Sequence, residues 1–320
     1  MDVYIYQPGM HSPEQAAEQA RRIEELGYDG IAMPDHLFVP SFATGEPNPY
    51  AHGPSILAAC AAVTSRVRLM TLMASNLTRS PVELVQIVST IHRLSGGRAE
   101  FGIGAGWFRE EYEAMGVAFP NGRERIERLG ETVQIARQFF STGAVRFEGL
   151  HYAVSVPEGG LLPVESAPPI TVGAAGPNAI RAAARVADRV DFQPDALQGG
   201  VVDLVRYNSF TVERLRAGIE TVRGLAEEAG RALPVSQSPF VSVTESAAEG
   251  AGQRQAMADS LGLERSVMER SLGTIVGTAD EVADRLALSA EAGCDRVHLQ
   301  ALHPEVADRL APVLPALKAL

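Results

Sequence analysis

Eight short apolar runs, each followed by sequence of helical period, constrain the fold of this chain more than any other feature. They are DVYIYQ (2–7), YDGIAM (28–33), VRLMTLM (67–73), AEFGIG (99–104), PITVG (169–173), RVDFQ (189–193), VSQSPFVSV (235–243) and DRVHLQ (295–300). Several are almost continuously apolar, as strands buried on both faces must be. Between them lie helices with readable ends. Ser12 caps one at Pro13–Leu26 that Gly27 stops, and Pro81 opens another that ends at Leu94 before Gly96-Gly97. Ile126, Leu129, Val133, Ala136 and Phe140 repeat at helical spacing, and one long helix is expected over 202–229. Strand and helix alternating eight times predict a (β/α)8 TIM barrel as a single domain over residues 1–320. An open doubly wound sheet is the alternative. Segments 144–167, with a hairpin pattern, and 244–274, polar and helix-rich, read as insertions on the C-terminal face, where barrel active sites lie.

With 46% hydrophobic residues, 320 residues can bury such a core. A formal charge of −11 leaves no basic field for nucleic acid or an anionic membrane, so any anionic ligand must be held locally. Two scattered cysteines, Cys60 and Cys294, build no disulfide scaffold, and MDVYIYQPG lacks the pattern of a signal peptide. No run reaches the roughly 18 apolar residues of a membrane span. These features predict a soluble cytoplasmic protein.

The segment RLSGGRAEFGIGAGWFREEYEAMG (93–116) carries a strand into three alternating glycines and then into a charged helical stretch. A dinucleotide fold would need G-x-G-x-x-G, but the third glycine position falls on Trp107 counting from Gly102 and on Arg109 counting from Gly104. Both frames fail. The glycines therefore read as room for some other ligand close to the backbone.

Asp35-His36 directly follows the second run, at the barrel mouth. His36 reads as moving a proton or donating to a bound ring, with Asp35 orienting it or contacting the ligand, or else as a loop histidine in water beside an N-cap Asp. Gly173-Ala-Ala-Gly176 before Pro177 reads as an anion cradle at a helix N-terminus or as an ordinary tight turn. Arg79 in LMASNLTRSP (72–81) reads as a phosphate partner or a surface arginine. The seven histidines show no metal-binding spacing, and no G-x-S-x-G elbow occurs. Strand alternation gives Arg296, His298 and Gln300 one face, so His298 is a candidate pocket residue or a structural one.

Asp35-His36, R-S-P at 79–81, the 92–116 block and VGTADEVADRL (276–286) together resemble the luciferase-like flavin oxidoreductases, in the same order along nearly the whole chain. The likeness is strongest to members that use the deazaflavin coenzyme F420, while similar relatives use FMN. It implies a flavin ring at the C-terminal mouth, a non-proline cis peptide at Leu72–Met73, and a homodimer. It also implies cofactor contacts at Asp35, Met73, Ala74, Ser75, Asn76, Gly104, Ala105, Gly106, Gly173, Ala175, Gly176, Asn178 and Ala179. Sugar-phosphate dehydrogenases of the family carry a catalytic Glu directly after the glycine matching Gly106; here that position is Trp107, which cannot take a proton. Trp107 instead suits a wall of a pocket for an apolar or aromatic substrate.

Three functions are consistent with these features. The first is F420-dependent hydride transfer to or from a small organic substrate, with His36 handling the proton. The second is an FMN-dependent monooxygenase using dioxygen. The third is a non-catalytic flavin-binding protein. The lining loops are expected at 34–52, 144–167 and 244–274.

Overall fold

The computed structural model describes residues 1–40, 46–198 and 200–320. Eight parallel strands close into a barrel: β1 (Asp2–Tyr6), β2 (Gly30–Met33), β3 (Arg68–Thr71), β4 (Ala99–Gly104), β5 (Ile170–Ala174), β6 (Arg189–Phe192), β7 (Val235–Gln237) and β8 (Arg296–Ala301). Closure is made by β8 against β1, in register from Asp2 opposite Arg296 to Tyr6 opposite Gln300. Along the chain the first six helices among the described residues are α1 (Pro13–Leu26), α2 (Gly53–Val63), α3 (Pro81–Leu94), α4 (Arg109–Ala114), α5 (Gly122–Thr142) and α6 (Gly176–Val186). The caps expected of α1 are present, with Ser12 accepting from the Gln15 amide and Gly27 in the left-handed region at φ 93°.

The alternation of each strand divides the core in two. Phe101 and Ile103 of β4 point outward into the large apolar layer shared with the helices. Glu100, Gly102 and Gly104 alternate with them and face the barrel interior. There Tyr4, Ala32, Met70 and Leu72 form a separate small apolar cluster with Met73 against it. Elsewhere the interior holds buried polar residues such as Asp191, Ser236, Ser238 and His298.

Three expectations need correction. The hairpin of segment 144–167, Val145–Glu148 with Ala153–Val156, follows α5 and precedes β5. It is a helix-to-strand connection, so it belongs to the N-terminal end of the barrel and not to the C-terminal face. Its last residues confirm this, since Pro163 accepts from Arg93 and Ser166 meets His92, both in the last turn of α3. Segment 244–274 does follow a strand and holds helices Ala247–Leu261 and Arg265–Arg270, but it ends on an unexpected buried strand, Thr274–Gly277. That strand pairs in parallel with Phe240–Val243, where the chain resumes after β7 and stays beside β8. The helix expected over 202–229 breaks into Leu204–Asn208 and Val212–Glu228, because the intervening Phe210 is buried and its carbonyl accepts from Leu272.

Candidate active site

The C-terminal ends of β2, β3 and β4 bring the mouth residues together. After β2 the chain runs through Asp35 and His36 into a hairpin, Phe38–Pro40 with Pro47–Pro49; residues 41–45 of the expected lining loop lie outside those described. After β3 comes the non-proline cis peptide Leu72–Met73, at the position that the resemblance implied. Ala74–Ser75 then pairs with Ile103 and Gly104 of β4.

Asp35 does not orient His36. Its carboxylate is buried and held by both terminal nitrogens of Arg79, Nη1 to Oδ2 at 2.6 Å and Nη2 to Oδ1 at 3.0 Å. It also accepts from the Ser75 amide at 3.2 Å, so it ties the β2 loop to the β3 loop. Arg79 meets His52 Nε2 at 2.8 Å as well, so it is a structural partner inside the chain and not a free surface arginine.

His36 takes its carboxylate from elsewhere. Nδ1 stands 2.9 Å from Glu111 Oε2, and Glu111 Oε1 accepts the Leu37 amide in a short contact. On the other side Trp107 Nε1 donates to His36 Nε2 at 3.3 Å, with the two rings edge-on at a centroid distance of 5.5 Å. Tyr50 adds a second edge-on ring at 6.2 Å and lies beside Tyr6, ring centroids 6.1 Å apart. Burial raises both of these phenols. Among the described residues, the contacts of His36 thus include the Glu111 carboxylate and the rings of Tyr50 and Trp107.

Glu111 was missed in the sequence. Phe108, Glu111, Tyr112 and Met115 fall at i, i+3, i+4 and i+7, so a carboxylate sits on the apolar stripe of α4. That misplacement is the signal that would have found it. The residue is 2% exposed.

The three glycines make room for the chain itself. A side chain on Gly102 would overlap the Thr71 carbonyl, and Cβ atoms on Gly104 and Gly173 would stand 3.3 and 3.0 Å from Met73. Gly106 needs its φ of 80°, and a Cβ there would overlap the Tyr112 hydroxyl, which itself hydrogen-bonds Ser75 Oγ at 2.8 Å. Within the chain, what these glycines admit is Met73, a neighbouring strand and a tyrosine. Met73 is left half-buried between β4 and β5, as are Ala105, Gly106 and Trp107 next to it.

Two other candidates move inward. Asn76 is fully buried, and its amide oxygen accepts from Thr132 Oγ1 at 2.7 Å. His298 has no exposed surface and meets Asp191 Oδ1 at 2.9 Å through Nδ1. Ser236 and Ser238 also donate to Asp191. Burial would raise the Asp191 carboxyl, but His298 and these hydroxyls outweigh it and the net shift is downward. His298 thus belongs to the sealed barrel interior and is withdrawn from the substrate pocket.

Around the rim, α6 begins at Gly176 behind Ala175, a residue whose side chain caps nothing, and its first turn has no acidic residue. Its free amides are a natural seat for an anion. Ala175, Gly176 and Ala179 are half-buried here and Asn178 is exposed. Among the described residues no group of three or more His, Cys, Asp or Glu is placed to hold a metal, and no helix is long and apolar enough to cross a membrane.

The model of the luciferase-like monooxygenase family matches residues 2–296. The chain belongs to that family. It is therefore an enzyme of the luciferase-like oxidoreductases, on the barrel expected of them. An F420-dependent glucose-6-phosphate dehydrogenase of Kineococcus radiotolerans is 34% identical over 216 residues, 65% of this chain and 59% of that protein. The chain thus spans about three-fifths of that relative's length. The pyrimidine monooxygenase RutA of Pseudomonas syringae is 36% identical over 103 residues, 31% of this chain and 28% of its own. An F420-dependent secondary alcohol dehydrogenase, solved with an F420–acetone adduct, superimposes with a TM-score of 0.81 at 18% identity, covering 99% of each chain. At that identity the likeness shows the fold.

Proposed function

We propose that this oxidoreductase uses coenzyme F420 to move hydride to or from a small, uncharged organic substrate, with His36 handling the accompanying proton. The observation that carries the reading is His36 itself, fixed at the mouth between a buried carboxylate and an indole.

The residues present fit a flat coenzyme with an anionic tail. Met73, half-exposed on a bed of glycines from β4 and β5, offers a face to the ring, and the uncapped N-terminus of α6 offers amides to the tail. Met73, Ala74, Ser75, Gly104, Ala105 and Gly106 would lie along the ring, and Gly173, Ala175, Gly176, Asn178 and Ala179 along the tail. Ser75 and Asp35 contribute through the loop that they hold, since their polar side-chain atoms are already bonded within the chain. Asn76 supports that loop from behind. Bound there, F420 would supply a two-electron hydride donor or acceptor; the chain supplies position, an aromatic surround and a proton site.

The sugar-phosphate specificity in the names of several relatives is not carried over. Trp107 stands where those dehydrogenases are expected to have a Glu, and the rings of Tyr50 and Trp107 flank His36, with Tyr6 behind Tyr50. This favours an apolar or aromatic substrate.

The test is fluorescence titration with F420 and FMN, followed by F420 reduction with cyclohexanol, benzyl alcohol or glucose 6-phosphate. We expect F420 to bind at least about ten times more tightly than FMN, a gap of about 1.4 kcal/mol, and an uncharged alcohol to outperform the sugar phosphate. Equal or reversed affinities would promote the second reading, an FMN-dependent monooxygenase; the segment similar to a pyrimidine monooxygenase supports the monooxygenase part of that reading. A cytoplasmic homodimer belongs to the same proposal on family resemblance, and light scattering of the purified protein checks the oligomer.

A further inference from the structure

We propose that Glu111 is the positioning residue of this site, holding the proton of His36 on Nδ1 so that Nε2 is the atom that exchanges a proton with the substrate. The inference rests on the proposed role of His36 and adds what makes that role possible.

The hydrogen bonds leave one neutral arrangement. An indole N–H can only donate, so His36 Nε2, 3.3 Å from Trp107 Nε1, must present its lone pair. The ring proton is then on Nδ1, and at 2.9 Å it is donated to Glu111 Oε2. Glu111 is itself fixed. It is 2% exposed, its other oxygen takes the Leu37 amide, and it belongs to the first turn of α4, at the positive end of the helix dipole. Both ring nitrogens are thus committed, and rotation of the imidazole would break both bonds.

This arrangement assigns separate work to two residues. The Glu111 carboxylate orients the ring and stands beside it as a counter-charge when Nε2 takes a proton. The Trp107 indole occupies Nε2 while no substrate is bound. A substrate hydroxyl that donates to Nε2 takes the place of that indole N–H. As the hydroxyl carbon gives up hydride to the oxidised coenzyme that the proposed function would place there, its O–H proton passes to Nε2 and the C=O bond forms. In reverse, Nε2 returns the proton to the oxygen. Asp35, adjacent in sequence, has no part in this, because Arg79 holds both of its oxygens.

The test is the ¹⁵N spectrum of His36 in the cofactor-free protein, which distinguishes the two neutral tautomers without any turnover. We expect the Nδ1–H form in the wild type and a shift away from it in Glu111→Gln, whose single amide oxygen is claimed by the fixed Leu37 N–H so that its NH2 faces Nδ1. In Glu111→Leu we expect a shift toward Nε2–H, the form preferred by a histidine free in water. With F420 and cyclohexanol, Glu111→Leu should lose about 10²-fold or more in kcat, within the range of general acid–base assistance, and Glu111→Gln should lose activity on a similar scale. An Nε2–H wild type, or a Leu variant with unchanged tautomer, overturns the proposal. So does a lost tautomer with full kcat. If Glu111→Leu does not fold, the wild-type, Gln and Trp107→Phe spectra decide, the last expected to relax Nε2. Failure of every alcohol probe would count against the proposed reaction, while the spectra would still decide the tautomer.

Discussion

Glu100 and His36 occupy opposite ends of the same barrel, and the charges around them are arranged in opposite ways. At the N-terminal floor, Glu100 is almost fully buried and accepts from Tyr4 Oη at 2.7 Å, from Arg296 Nη1 at 2.6 Å and from Arg68 in a shorter contact. Arg296 continues to Asp2 and lies 4.1 Å over the Tyr4 ring, and Arg189 pairs with Asp295. Burial would raise the Glu100 carboxyl, but Arg296, Arg68 and the Tyr4 hydroxyl overcome it and the net shift is downward. A cavity of about 250 Å³ opens among these groups, yet its arginines already have carboxylate partners. At the mouth, the described partners of His36 are the Glu111 carboxylate and two aromatic rings. A network closed on itself stabilises; a pair with one side left toward solvent and ligand can react.

The sharpest way to break this contrast is His36→Asn. General acid–base assistance is worth about 10²–10⁴ in rate, so turnover of F420 with an alcohol substrate should fall on that scale. Cofactor affinity should change by less than about tenfold and the urea midpoint should barely move. Full turnover would remove His36 from the chemistry. Lost F420 affinity with intact turnover per bound cofactor would make it a binding residue.

The floor should respond in the opposite way. Glu100→Leu leaves Arg296 and Arg68 without their shared carboxylate, and breaking one side of a buried pair costs about 3–5 kcal/mol. Urea denaturation should show that loss, while the folded fraction keeps its F420 affinity. The pH dependence has a definite sign. Because folding lowers the Glu100 pKa, its contribution is fully present above the carboxylate's unfolded value, about 4.3, and is lost as pH falls through the lower folded value. Glu100→Gln should flatten the stability curve in that acid window. A variant with the wild-type slope there would show that other carboxylates govern acid unfolding.

The two ends were unequally legible in the sequence. The barrel was readable because strand runs and caps are local: Ser12, Gly27 and Pro81 mark helix ends whatever lies around them. The inward face of β8 followed from alternation, which correctly put Arg296 and His298 inside. What failed was non-local. His36 and Glu111 are 75 positions apart, and neither spacing nor composition joins them. Asp35, adjacent in sequence, was the natural but mistaken partner. Segment 144–167 was misplaced because its hairpin pattern says nothing about which end of the barrel receives it; the order helix, hairpin, strand does. TIVG at 274–277 was lost because four residues after two polar helices carry too little periodicity to register.

Gly106→Ala sharpens the contrast by putting a structural cost into the mouth. A non-glycine residue at φ 80° is strained by about 1–3 kcal/mol. The added Cβ must also displace Tyr112 from Ser75. We expect a lower melting temperature together with weaker F420 binding, in contrast to the single-property losses at His36 and Glu100. Weakened binding with unchanged stability would restore the view that this glycine clears space for the ligand alone.

The smallest effect concerns Asp195, an exposed carboxylate beside the start of α6. A Cβ on Gly176 would stand 3.3 Å from its Oδ1, so the negative group lies against the amides proposed to receive the anionic tail. A charge near a helix N-terminus is worth about 0.3–1 kcal/mol at low salt. With no ligand bound, Asp195 interacts favourably with that helix end; with an anionic tail bound, the two negative groups compete for it. Asp195→Asn should therefore tighten F420 by about two- to fivefold, at a small cost in apo-protein stability. The gain should shrink as salt is raised, since the competition is between solvent-exposed charges. F420 affinity that is unchanged at low salt would move the tail away from α6 and leave the seat for the coenzyme at Met73 and β4. A loss of affinity would instead make Asp195 a partner of the coenzyme, reached through a hydroxyl and not through a phosphate.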